Sequence, residues 1–121
     1  MRALIIDDSK AMRMILKQVL CEFGFDVTEA GNGREGLVRL KDIPYPDLVT
    51  VDWNMPVMDG LSFVHAVRSD PSLDRLPMIM VTTKNDLPQV AKALEAGANE
   101  YIMKPFTEEV LREKLQLLGI S

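Results

Sequence analysis

Apolar residues fall along this chain in two alternating rhythms, short unbroken runs and longer stretches at helical spacing. The first run, Ala3-Leu4-Ile5-Ile6, is of the kind that forms a strand buried on both faces, and it stops on Asp7 and Asp8. Ser9 is then placed to cap a helix in which Met12, Ile15, Leu16, Val19, Leu20 and Phe23 share one face, with Gly24 as its stop. Asp26-Val27-Thr28-Glu29-Ala30 is short and more polar, which predicts a strand near the edge of a sheet. Asn32, three residues before Glu35, makes a capping-box pattern for a second helix that turns Leu37 and Leu40 inward and ends at Pro44 and Pro46.

Leu48-Val49-Thr50-Val51 is the next buried run, and it ends on Asp52. The turn formers Pro56, Asp59 and Gly60 lead into a third helix, from about Asp59 to Arg68, packing through Leu61, Val64 and Val67. Pro77-Met78-Ile79-Met80-Val81 predicts a fourth strand that ends on Thr82-Thr83-Lys84. Asp86 and Gln89 bracket Pro88 at the start of a fourth helix, with Leu87, Val90, Ala91 and Leu94 on one side and Gly97 as its stop. Tyr101-Ile102-Met103 is a fifth strand, ending on Lys104-Pro105-Phe106. Thr107 caps a last helix whose first turn carries Glu108 and Glu109, favourable beside the helix dipole, and whose Leu111, Leu115 and Leu118 face the core.

Such strand–helix alternation predicts an α/β domain spanning 1–121, a doubly wound parallel sheet of five strands with five helices on its two faces, since right-handed crossovers are nearly obligatory. A chain of 121 residues can bury a core without disulfides or metal staples. The net charge of −4 argues against a phosphate-backbone binder, so no direct nucleic-acid contact is expected. The single cysteine, Cys21, excludes an internal disulfide and, lying in an apolar helical stripe, is expected as a buried structural thiol. No apolar run is long enough to span a membrane and no signal-peptide pattern opens the chain, which predicts a cytoplasmic protein with no membrane partner. A monomer is expected.

In a parallel sheet the carboxyl ends of the strands share one rim, where ligands bind. This chain delivers Asp7, Asp8, Asp52, Thr82 and Lys104 there. Clustered carboxylates repel unless positive charge lies among them, and all-oxygen ligands at a wet rim suit Mg²⁺ or Mn²⁺. A metal ion and the Lys104 ammonium around a carboxylate nucleophile meet the needs of phosphoryl transfer, in which positioning and charge neutralisation dominate. Thr82 can donate a hydrogen bond to the arriving group. Dinucleotide and flavin binding fit poorly, because two aspartates after the first strand would repel phosphates.

IIDDS with MR shortly after, VDWNMPVMDG, MVTT and EYIMKPFT together cover the chain end to end. On these motifs the chain resembles a receiver domain of the two-component response-regulator family, and closely the stand-alone chemotaxis regulators. The resemblance implies a flavodoxin-like strand order 2-1-3-4-5 and a phospho-acceptor role for Asp52, loaded from the phosphohistidine of a sensor histidine kinase. It implies Mg²⁺ (or Mn²⁺) held by Asp8, Asp52 and the backbone carbonyl of Asn54, with Asp7 acting through water. Lys104 would pair with the phosphoryl oxygens, and its bond to Pro105 would be cis. Thr82 and Tyr101 would form the switch. The fourth helix, fifth strand and fifth helix would form the readout face, here carrying Val90, Leu94, Tyr101 and Lys114. The implied protein is a signalling phospho-acceptor that catalyses its own phosphorylation and dephosphorylation, with a kinase, a downstream target such as the flagellar motor switch, and a phosphatase as partners. Lys84 and Ser9 depart from the chemotaxis regulator, which carries an acid and a phenylalanine there, so phosphoryl lifetime and partner identity do not carry over.

Two other readings use the same residues. A phosphorelay or phosphate-sink receiver outside chemotaxis would need the same acceptor chemistry. A haloacid-dehalogenase-type phosphatase would place a second aspartate two residues after the nucleophile, where this chain has Asn54. His65 is expected on the surface, Trp53 at the rim as a fluorescent reporter, and the eight methionines as packing rather than a copper site.

Overall fold

The computed structural model describes residues 1–120. The three apolar runs become the central strands β1 (Arg2–Ile6), β3 (Leu48–Asp52) and β4 (Met78–Thr82), while the more polar β2 (Asp26–Ala30) and β5 (Glu100–Met103) lie at the margins. All pairings are parallel and the order is β2-β1-β3-β4-β5, as the resemblance implies. Helices α1 (Lys10–Glu22), α2 (Gly33–Asp42), α3 (Gly60–Arg68), α4 (Val90–Ala96) and α5 (Glu108–Leu117) cover both faces. The two-residue period of the strands divides the core. Leu4, Ile6, Val49, Val51, Met78 and Met80 pack with Phe63, Val64 and Ala93 on one side. On the other side Ile5, Leu48, Ile79, Val81 and Ile102 meet Leu16, Leu20, Leu111 and Leu115.

Ser9, Asn32 and Thr107 cap their helices as predicted, accepting a backbone N–H from Met12, Glu35 and Val110. Asp59, expected as a turn former at the start of the third helix, caps it in the same way, accepting from Ser62 N. The box at Asn32 is half made, because the Glu35 carboxylate pairs with Arg39 at 3.5 Å, one turn further along. Gly97, at φ +122°, closes α4 in a conformation few other residues adopt.

Three expectations need correction. The buried stripe of α1 is narrower than its apolar stripe: Leu16 and Leu20 define its centre, and Ile15 and Cys21 lie a helical step to either side, exposed. Cys21 is therefore a surface thiol. The fourth helix does not begin at Asp86. Lys84–Gln89 forms a 3₁₀ segment, because Pro88 has no N–H to donate back to Lys84, and α4 starts at Val90. Its inward face is Val90 and Ala93, leaving Leu87, Ala91 and Leu94 exposed.

Candidate functional site

Strand register brings the rim residues together. Ile6 pairs with Val51, so Asp7 and Asp52 leave neighbouring strands side by side; Asp52 pairs with Val81, and Thr82 with Met103, which puts Lys104 next along. Ladder hydrogen bonds run on into the rim: Asp7 N donates to Ala30 O (3.1 Å), Trp53 N to Val81 O (3.1 Å) and Lys104 N to Thr82 O (2.7 Å). The site thus stands on sheet backbone rather than on free loops.

Lys104 Nζ lies 3.3 Å from Asp7 Oδ2 and 3.2 Å from Asp52 Oδ1, reaching from the end of β5 past β4 to the neighbouring ends of β3 and β1. One carboxylate oxygen each from Asp7, Asp8 and Asp52 lie within 4.8 Å of one another. Asp7 and Asp52 are buried and Asp8 is exposed, so the cluster opens to water on one side. Burial and the charge of Asp7 raise the Asp52 carboxyl to about 6, against the opposing pull of Lys104. Burial draws the Lys104 ammonium down, but Asp52 and Asp7 outweigh it and push Lys104 above its usual value. One ammonium does not neutralise three carboxylates. The donor set is all oxygen, short of positive charge and open through Asp8 to retained waters, which fits Mg²⁺ or Mn²⁺.

Thr82 is 1% exposed, and its hydroxyl donates to Thr83 O at 3.3 Å. Asn54 is exposed two residues after Asp52. The loop between them and α3 is tightly wound: Met58 N donates to Pro56 O (2.7 Å) across Val57, which has φ +69°, the rare strained form of γ-turn. Gly60 N donates to Trp53 O (3.0 Å), and a Cβ built on Gly60 would collide with the carbonyl oxygen of Asp52. The Lys104–Pro105 bond is cis, as expected.

The switch and readout residues divide. Tyr101 is half-buried on β5, and Lys114 Nζ lies 4.8 Å from its ring centroid. Lys114 also pairs with Glu100 Oε1 at 2.9 Å, and that same oxygen accepts Tyr101 N–H at 3.1 Å. Burial raises the Glu100 carboxyl, but these two donors hold it below its ordinary range. Since Lys104 N–H points at β4 and N–H groups alternate along a strand, the Tyr101 N–H faces the open margin, where Glu100 satisfies it. Leu94 is 40% exposed, but Val90 is buried and drops out of the expected face. Trp53 also differs: it turns from the rim into the core with Phe63 and Val64. His65 is exposed, as expected.

Sequence reasoning missed the Glu100 bridge and the strained Val57. It also missed Thr50, whose buried hydroxyl has no hydrogen-bond partner among the described residues. A β-branched residue in a turn-forming stretch could have flagged Val57; nothing in the sequence marks the other two.

Residues 3–116 match the family model of the response regulator receiver domain. The chain is 44% identical over 119 residues to chemotaxis protein CheY1 of Helicobacter pylori, covering 98% of this chain and 96% of that one. It is 44% identical over 117 residues to chemotaxis protein CheY of Pseudomonas aeruginosa, covering 96% and 94%. Among solved structures, chemotaxis response regulator CheY4 of Vibrio cholerae superposes with a TM-score of 0.87 at 33% identity, over 97% of each chain.

Proposed function

The chain belongs to the response regulator receiver family, and from that premise we propose that it carries a phosphoryl group on Asp52 and signals in chemotaxis by phosphorylation-dependent protein contact. The observation that carries the reading is the buried Asp52 carboxylate, raised to about 6 and held by Lys104 within a three-aspartate cluster. A carboxylate so poorly stabilised as an anion gains from becoming an acyl phosphate if its surroundings can absorb the added charge.

In the proposed reaction an oxygen of Asp52 attacks phosphorus, and the O–P bond forms as the N–P bond of the kinase's phosphohistidine breaks. The imidazole nitrogen leaves with the electron pair and takes up a proton. Asp8 and Asp52, with the Asn54 carbonyl and with Asp7 through water, would hold Mg²⁺ or Mn²⁺, whose charge offsets that of the transferring oxygens. Lys104, already between Asp7 and Asp52, turns its remaining donor to a phosphoryl oxygen, and Thr82 exchanges Thr83 O for another. Tyr101 responds to that movement, and the change is read at the face bearing Leu94, Tyr101 and Lys114 by a downstream target such as the flagellar motor switch. Water attack on the aspartyl phosphate, intrinsic or aided by a phosphatase, resets the protein. On this reading residues 1–121 form one receiver domain, monomeric and cytoplasmic.

The test is to incubate the protein with Mg²⁺ and acetyl phosphate and to follow its intact mass. A base-labile, acid-stable gain of one phosphoryl group is expected, absent without the metal and absent in Asp52→Asn. An undiminished adduct in Asp52→Asn would place the acceptor elsewhere.

A further inference from the structure

A single carboxylate oxygen joins the segments that leave β3 and β4. Asp86 Oδ2 accepts from Asn54 Nδ2 at 3.0 Å and from Thr83 Oγ1 at 3.0 Å. An ionised carboxylate only accepts, so the amide nitrogen of Asn54 must face it and the Thr83 hydroxyl must donate. Thr83 is the N-cap of the 3₁₀ segment Lys84–Gln89, a position where a threonine hydroxyl ordinarily accepts a backbone N–H. Here there is no side-chain capping bond; Asp86 N donates to Thr83 O instead, at 3.1 Å. The hydroxyl instead bonds the Asp86 side chain three residues on, and through that carboxylate it is linked to the loop carrying Asn54. Thr83 O also accepts the Thr82 hydroxyl, so the peptide held by Asp86 is the one on which Thr82 rests.

We propose that Asp86 is a positioning residue for the phosphoryl chemistry of Asp52. Gripping Asn54 and Thr83 with one oxygen, it sets the chain two residues beyond the acceptor against the chain one residue beyond Thr82. Both the Asn54 backbone and the Thr82 hydroxyl are thereby held in register with Asp52 before a donor arrives, which lowers the cost of orienting them during transfer. Asp86 itself touches no reacting atom. The inference rests on Asp52 being the acceptor.

The test compares wild type, Asp86→Ala and Asp86→Asn for the rate of adduct formation from acetyl phosphate at saturating Mg²⁺, at a temperature where circular dichroism shows all three folded. Loss of two exposed hydrogen bonds should slow Asp86→Ala roughly three- to tenfold. Asp86→Asn keeps an oxygen with two lone pairs in the same place, so it should return to within about twofold of wild type. A structural role alone would not give slowing in one folded variant with recovery in the other. Wild-type rates in Asp86→Ala, or an Asp86→Asn as slow as Asp86→Ala, overturn the proposal. A wild-type protein that takes no phosphoryl group overturns the acceptor assignment itself, and this inference with it.

Discussion

Replacing Asp52 with asparagine should stabilise the metal-free protein, and the size and pH dependence of the gain follow from the cluster. The Asp52 carboxyl is raised from 3.8 to about 6 in the fold, whereas in the unfolded chain it titrates near its ordinary value. Between those limits the native state binds more protons than the unfolded state, so stability falls as pH rises through about 4 to 6, and the whole cost is present above that window. At full burial the elevation would correspond to about 3 kcal/mol. The cluster is open to water through Asp8, and screening reduces the figure to about 1–2 kcal/mol. Asparagine has nearly the same shape and no charge, and Lys104 keeps Asp7 at 3.3 Å. Urea unfolding in EDTA, followed through Trp53, should therefore show the variant more stable by about 1–2 kcal/mol at pH 7.5 and equal to wild type near pH 4. Saturating Mg²⁺ should reverse the order, since binding at a hundredfold excess over Kd adds about 2.7 kcal/mol to a protein that retains the ligand set. A variant less stable than wild type at pH 7.5 without metal, or a gain that persists at pH 4, would refute the electrostatic account.

Thr50→Val removes a buried hydroxyl that bonds to nothing described and should raise stability by about 1 kcal/mol in urea unfolding. Val57→Gly should relieve φ +69° and add about 1 kcal/mol in the same unfolding assay, at little cost in packing because Val57 is 72% exposed. Gly60→Ala forces a methyl group against the Asp52 carbonyl; we expect a loss of about 1–3 kcal/mol and a slower adduct by mass, and normal rates would show that the loop yields. Thr82→Ala should keep the phosphoryl adduct yet lose most of the gain in partner affinity on phosphorylation, a coupling of about 1–3 kcal/mol that titration calorimetry resolves. The wild-type factor in that variant would uncouple Thr82 from signalling.

The sequence made the elements and the rim legible for one reason: buried parallel strands must be continuous apolar runs, and the residue ending each run must emerge at the shared rim. Asp7, Asp52, Thr82 and Lys104 were found by that logic alone and stand in contact or in register. It failed where facing direction depends on tertiary rotation. Val90 and Leu94 share an apolar stripe on α4, yet the sheet takes Val90 and Ala93 and leaves Leu94 outside. Trp53 adjoins the acceptor in sequence but points inward, and Cys21 lies one step past the buried Leu20. Side-chain bridges between distant segments, such as Asp86 to Asn54 or Lys114 to Glu100, leave no periodic trace.

The two margins of the sheet share a construction. On β2, Glu29 is tied to Arg13 and Lys17 of α1 at 3.1 and 3.7 Å; on β5, Glu100 is tied to Lys114 of α5 at 2.9 Å. Each outer strand therefore carries an acid fastened by a base from the adjoining helix. An incoming strand from another molecule would have to lie beside these partly exposed charges, and on β5 it would also have to displace the Glu100 carboxylate from Tyr101 N–H. Cross-β polymers need long, uncharged, unoccupied margins, and this sheet offers none on either side. Copies of such a protein can crowd together without their sheets pairing edge to edge.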